Sequence, residues 1–285
     1  MKELATPQPV VVGIDGSKAS MRAALWAVDQ AVSRDAPLHL LCAIEQDQNQ
    51  REPDDATRKL ATAEAAVRHA VNAIEAAGKP VKIETEVAYG SAIGSLISAS
   101  ASAAMVCVGA VGLRHFRPGR VGSTAAALAV SARCPVAIIR ARDDNVHPPA
   151  EEIVVEIDVS PDNGALLGTA IEQARLREAG LRAIICRRTV SGINWTADTE
   201  GTRRALADLD RRLTRWKRRH PDLRVESVAV QNSLLEYLVY NRGSVGLAIV
   251  GAQNHNHLSE LVGPAGSAVL RDTDCSLLIV NRQHL

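Results

Sequence analysis

The sequence predicts an α/β protein made of two tandem copies of one unit, each a five-stranded parallel sheet with helices on both faces. Three observations carry this. Short Val/Ile/Leu runs alternate with longer amphipathic segments along the 285 residues, and strand–helix alternation produces a parallel sheet. Strand candidates that read as unbroken Val/Ile/Leu runs are what strands covered on both faces require. The second half also repeats the first. Val11-Val-Gly-Ile-Asp15-Gly-Ser17 returns as Val154-Val-Glu-Ile-Asp158-Val-Ser160, and Ala27-Val-Asp-Gln-Ala31 as Ala170-Ile-Glu-Gln-Ala174, both at an offset of 143. Cys134 returns as Cys275 at an offset of 141, so two net deletions fall in loops. A period of about 140 residues is a domain and not a solenoid repeat. The domains are assigned to residues 1–144 and 151–285. The charged, proline-bearing stretch Ala141 to Glu152 is the linker.

In copy one, Pro9 to Ile14 reads as the first strand. Ser20 is placed to cap a helix whose Met21, Leu25, Val28 and Val32 share a face. Leu38 to Ile44 is a second strand, followed by a polar loop from Glu45 to Pro53. Leu60, Val67, Val71 and Ile74 form the next helical stripe, closed by Gly78 and Pro80. Val81, Ile83, Thr85 and Val87 alternate as a third strand, Ile93 to Ala103 is a short helix, and Met105 to Val108 is the fourth strand. An alanine-rich helix, Thr124 to Ala132, and a strand from Val136 to Arg140 complete the copy. Copy two has strands at Ile153 to Ile157, Leu181 to Cys186, Val225 to Val230, Gly246 to Val250 and Leu277 to Val280. Its second helix carries Leu206, Leu209, Leu213 and Trp216 on one face and Arg211, Arg212, Arg215, Lys217, Arg218 and Arg219 on the other. That cluster reads as a solvated face answered by Asp208 and Asp210, or as a dock for an anionic partner.

Composition narrows the function. Aromatic residues number seven (three Trp, three Tyr, one Phe), so Ala, Val and Leu must do the packing. The formal charge of +1 gives no overall pull toward nucleic acid. No apolar stretch has membrane-span length, and the first residues lack the apolar core of a signal peptide. Five cysteines without metal spacing fit small core residues. A cytoplasmic protein that binds neither nucleic acid nor membrane is expected.

The motif that carries chemistry is Gly109-x2-Gly112-x9-Gly122-Ser123, between the fourth strand and the alanine-rich helix. Glycine lets backbone approach a ligand closely. Gly122-Ser123 opens a helix, where backbone N–H groups and the positive end of the macrodipole favour an anion. Ser123 and Thr124 add hydroxyls and are placed to cap that helix. The spacing matches neither the P-loop nor the dinucleotide fingerprint. The alternative is a plain glycine turn.

A strand ending in Asp15 followed by this glycine spacing, in order within an α/β repeat, resembles the ATP-binding universal stress proteins. The tandem arrangement resembles the two-domain members common in actinobacteria. The resemblance covers the whole chain. It implies an adenine-nucleotide α-hydrolase-like sheet of order 3-2-1-4-5, with ATP at the carboxyl ends of strands one and four. Carried over, Asp15 faces ribose or adenine, with Gly13 and Ile14 beside it. Ala43 offers backbone to the adenine edge, and Val108 packs on the nucleoside. Gly109 and Gly112 pass close to sugar and phosphates, and Gly122, Ser123 and Thr124 bind phosphate. Asp15-Gly16 is also a good turn sequence, which is the alternative for Asp15. Arg114, His115, Arg117 and Arg120 either neutralise phosphate or form an exposed basic loop.

Copy two departs from the pattern. Asn254 stands where the second glycine belongs, the spacer to Gly263 is eight residues, and Pro264 replaces the serine. Asp158 is kept and Cys186 replaces Ala43. Copy two is therefore expected to bind ATP weakly or not at all. Its His255 and His257 are read as solvent-exposed loop histidines and not as a metal pair.

No nucleophile elbow, metal spacing or kinase signature is present, so a regulatory ATP-binding protein with a protein partner is expected, and not an enzyme. One rival is a slow ATP hydrolase or phosphotransferase, with Mg2+ bridging phosphates to Ser123 or Asp15. Another is a nucleotide-free scaffold. The last strand of each copy is expected to pair the two domains within the chain, with a homodimer beyond that.

Overall fold

The structure is a computed structural model and describes residues 7–45, 53–112, 121–140, 152–157, 163–186, 199–253 and 255–281. Copy one runs β1 (Val10–Gly13), α1 (Lys18–Ser33), β2 (Leu38–Ile44), α2 (Pro53–Ala76), β3 (Ile83–Tyr89), α3 (Ala92–Ala99), β4 (Met105–Gly109), α4 (Ser123–Ser131) and β5 (Val136–Ile139). Its strands lie in the order β3-β2-β1-β4-β5, all parallel. Copy two runs β6 (Glu152–Glu156), α5 (Gly164–Leu176), β7 (Gly180–Cys186), α6 (Thr199–Arg219), β8 (Val225–Val230), α7 (Leu234–Tyr240), β9 (Val245–Gly251), α8 (His255–Val262), α9 (Pro264–Asp272) and β10 (Ser276–Val280). Its strands lie in the order β10-β9-β6-β7-β8, again parallel. In each copy's own numbering this is 3-2-1-4-5, the order the resemblance implies. The chain separates into two compact units, and the division differs from the repeat boundaries in one place. Helix α8 and the first turn of α9 belong to the first unit, where α8 packs on α4.

In the first unit, α1 and α2 cover one face of the sheet, and α3 and α4 the other. The start of α1 corrects the sequence reading. Asp15-Gly16-Ser17 forms a turn in which Gly16 has φ 82° and the Ser17 N–H donates to Asp15 Oδ1 at 2.9 Å. Ser17 is extended and caps the helix, its Oγ accepting from the Ser20 N–H at 3.0 Å. Ser20 therefore lies inside the first turn. The buried face is also different. Ala19, Ala23, Ala24, Ala27, Val28 and Ala31 face the sheet, while Val32 is 38% exposed. At its start the helix lies close to the sheet: a Cβ on Gly109 would stand 2.6 Å from the Ala19 carbonyl carbon, so no side chain fits on the strand beneath it. On α2 the buried residues are Ala63, Val67, Ala70 and Ile74, and the chain turns at Gly78 with φ 67°. β3 starts at Ile83 and not Val81, and α3 begins at its Ser91 cap and stops at Ala99.

In the second unit, Leu209 and Leu213 of α6 are buried, and the Trp216 ring lies 3.9 Å from the site of a Cβ on Gly168 in α5. Helix α7 opens with a capping box between Ser233 and Glu236. Arg182 ties three elements together. Its Nη2 sits 2.9 Å from Glu152 Oε1 and 3.3 Å from Glu226 Oε2, and its Nη1 donates to the Tyr237 hydroxyl at 2.7 Å. No helix among the described residues is long and apolar enough to cross a membrane.

Candidate functional site

β1 pairs with β2 on one side and β4 on the other. The chain leaves β1 toward one edge of the sheet and leaves β4 toward the other, so the two loops part at the strands' carboxyl ends. Open α/β sheets bind ligands at such a switch point.

The loop after β1 begins with the Ile14 N–H donating to the Leu41 carbonyl at 2.8 Å. Ile14 is buried and Asp15 is exposed. Asp15 Oδ1 accepts from Ser17, and Oδ2 stands 2.6 Å from where a Cβ on Gly112 would lie. Gly112 thus leaves room for the Asp15 carboxylate. The loop after β4 begins with the Ala110 N–H donating to the Ile139 carbonyl at 2.8 Å. Its far end is drawn back by the Gly122 N–H, which donates to the Ala110 carbonyl at 2.8 Å. A Cβ on Gly122 would lie 3.7 Å from the Gly112 nitrogen. Gly112 and Gly122, ten positions apart in the sequence, therefore meet beside Asp15.

Gly122 is the N-cap of α4, and no side chain caps the helix. The expected capping role of Ser123 and Thr124 is not seen, because both residues are already helical, Ser123 exposed and Thr124 half-buried. The amides of Ser123, Thr124 and Ala125 have no acceptor within the helix. An uncapped helix start suits an anion.

Other expected site residues sit differently. Gly109 is where α1 seats on β4, a packing role not read from the sequence. A Cβ on Gly13 would lie 3.0 Å from Leu96 and 3.2 Å from Val108, and Val108 is itself buried. Ala43 is half-buried on β2 opposite Ala88 of β3. Arg114, His115, Arg117, Arg120, Asp158 and Asn254 lie outside the described residues. The turn at Asp15-Gly16, read from the sequence as the alternative for Asp15, is present, while sequence reasoning missed Ser17 and Ala110. The Asp-Gly-Ser run was a usable signal for Ser17, since it combines a turn with a cap. A separate groove of about 670 Å³ lies along α3 over β2 and β3, lined by Leu41, Ala88, Ser95 and the His39–Glu86 pair. It contains none of the expected residues and no helix start bare of a cap. The bare helix start therefore lies at the strand ends and not in this groove.

The corresponding positions of copy two look different. Pro264 opens α9 directly after α8. The Ser259 carbonyl oxygen stands 2.6 Å from the site of a Cβ on Gly263, and Ser267 Oγ donates to the Val262 carbonyl at 2.9 Å. Carbonyl oxygens of α8, carrying partial negative charge, therefore crowd this helix start. His257 lies in α8, is 6% exposed and sits 3.8 Å from Glu260, which corrects the expectation of a solvent-exposed loop histidine. Among the described residues, no group of three or more His, Cys, Asp and Glu is placed to hold a metal ion.

Comparison with known proteins follows the same lines. The profile described as "Universal stress protein family" matches residues 7–140. Universal stress protein Rv2028c of Mycobacterium tuberculosis (strain H37Rv) is 50% identical over 293 residues, covering all of both chains. Universal stress protein Rv2624c of the same strain is 40% identical over 277 residues, covering 97% of each. Among solved structures, a universal stress protein from Archaeoglobus fulgidus superposes with a TM-score of 0.69 at 16% identity, covering 97% of each chain. With this identity sustained from end to end, the chain belongs to the universal stress protein family.

Proposed function

We propose that this protein is an ATP-binding regulator within its family, with the nucleotide held by copy one. The observation that carries the reading is the uncapped start of α4, facing Asp15 and Gly112 where β1 and β4 part. The amides of Ser123, Thr124 and Ala125 supply donors for phosphate oxygens, and the absence of side chains at Gly112 and Gly122 lets them come close. The Asp15 carboxylate accepts from a ribose hydroxyl or an adenine amine. In copy two the α8 carbonyls at the corresponding helix start disfavour an anion there. Bound nucleotide orders the loop ends of copy one and shifts how a protein partner is met.

Titration with a fluorescent ATP analogue tests this. Wild type is expected to bind one nucleotide per chain. Gly122→Glu is sterically tolerable, since the nearest atoms to a new Cβ are 3.6 Å away. It adds a carboxylate beside the phosphates, and affinity is expected to fall at least tenfold. Unaltered binding by this variant, or two equivalent sites in wild type, overturns the reading. Radiolabelled ATP that stays intact on the protein separates the regulator from a slow hydrolase.

A further inference from the structure

The formal charge of +1 conceals an uneven distribution. Helix α6 carries eight Lys or Arg and three Asp or Glu. Its counterpart in copy one, α2, carries three and four. The fold therefore does not require the excess. Much of the upstream charge on α6 is answered, Arg203 and Arg204 by Glu200 and Arg211 and Arg212 by Asp208. The last turns differ. Arg215, Lys217, Arg218 and Arg219 are all exposed and make no ion pair among the described residues. Exposed Arg175 of α5 joins them from a second element. His220 stacks on Trp216 with ring centroids 6.3 Å apart. Desolvation holds its pKa below the usual value, and the charges of Arg175 and Arg219 add to the effect. Helix α5 packs beside this end of α6, the Trp216 ring standing 3.9 Å from the site of a Cβ on Gly168.

Cations in the last turn of a helix complement its dipole. That explains some of Lys217, Arg218 and Arg219, and Arg175 in the last turn of α5, but not Arg215, and α2 has no basic residue in its last turn.

We propose that the C-terminal end of α6, with Arg175 beside it, docks the phosphate backbone of a nucleic acid without regard to base sequence. Four of the five cations are arginines, whose planar forks match phosphate oxygens. The surroundings favour this occupant over two others. Protein interfaces centre on desolvated Trp, Tyr and Arg anchors closed off from water by a surrounding ring of contacts, and this patch offers exposed cations with no exposed aromatic or apolar side chain to enclose them. Leu209 and Leu213 are buried, and Trp216 is held between Gly168 and His220. A membrane-surface helix must insert an apolar face, and the apolar face of α6 is turned into the core. A surface of cations alone is what sequence-independent phosphate binding uses.

The test uses the full chain and a fluorescein-labelled 20-base-pair DNA duplex, read by anisotropy between 50 and 200 mM salt. Four to five phosphate contacts give a slope of log K on log salt of about −4, a loss of roughly 250-fold across that range. The triple substitution R215Q/K217Q/R218Q is expected to weaken binding at least tenfold and to flatten the slope by about 2.7, while R58Q/K59Q on α2 changes neither. If the triple variant fails to fold, the wild-type slope and competition still decide. Saturating ATP leaves the duplex bound, because the patch is distinct from the proposed nucleotide site. No binding at 50 mM salt, an unchanged slope in a folded triple variant, or displacement by ATP overturns the proposal. Tighter binding to polyglutamate or to phosphatidylserine vesicles at equal salt also overturns it, in favour of an acidic protein or a membrane.

Discussion

Two glycines of one motif are expected to respond oppositely to the same substitution. In Gly109→Ala the new Cβ would lie 2.6 Å from the Ala19 carbonyl carbon, 2.7 Å from the Ala19 Cβ and 2.8 Å from the Ser20 nitrogen. Carbon atoms rest about 3.5–4.0 Å apart, so α1 must retreat by about 1 Å. Nothing on its inner face is long enough to flex instead, because that face is mostly alanine. Overpacking of this kind costs about 1–3 kcal/mol, and the upper part of that range applies because main chain has to move. Urea denaturation followed by circular dichroism is expected to show a loss of about 2–3 kcal/mol, with Tm lower by roughly 4–12 °C. In Gly112→Ala the new Cβ meets only Asp15 Oδ2, at 2.6 Å. A carboxylate at the end of a side chain can rotate away, so stability changes by no more than about 0.5 kcal/mol, while nucleotide affinity falls because Asp15 is displaced. The reasoning fails if Gly109→Ala is as stable as wild type, or if Gly112→Ala loses as much stability as Gly109→Ala.

Two further outcomes are expected. Burial pushes the Cys134 thiol up to about 12 from 9.0. Below pH 9 the thiol is protonated in both states and its contribution to stability is complete. As pH rises toward 12 the unfolded chain releases the proton first, so that stability is lost. The urea midpoint is expected to fall over this range, and less steeply in Cys134→Ala; parallel curves refute the assignment. In Tyr237→Phe, Arg182 keeps Glu152 and Glu226 but loses a bond of 2.7 Å. A loss of about 1.5 kcal/mol in urea unfolding is expected, and none at all means that the hydroxyl bond contributes nothing net.

Most strands were legible as near-continuous apolar runs, β3 and β8 as alternating ones, and the repeat gave their number twice over. Boundaries were less so: the alternation that begins at Val81 belongs to pairing only from Ile83, where β2 provides a partner at Leu38. Helix faces were misread where size mattered more than hydrophobicity. Met21 and Val32 look like core residues, yet the buried face is taken mainly by Ala19, Ala23, Ala24, Ala27 and Ala31, and nothing in α1 itself records the position of Gly109. Helix α8 was missed because Asn254-His-Asn-His has weak helical preference, and its packing on α4 is a long-range contact. At the site, glycine spacing pointed to the β4–α4 loop. It could not say that Gly109 serves the helix on the opposite face, or that the Ala110 carbonyl holds Gly122 in place.

An alanine-faced helix has a thermodynamic signature of its own. A methyl group has no rotamers to freeze, so seating α1 costs backbone order but almost no side-chain entropy. Each contact buries little area, yet there is only one way to make it. Larger side chains would have offered several alternative fits at the joint between β4 and α1. This one admits a single fit, and the turn carrying Asp15 inherits that rigidity before any ligand arrives.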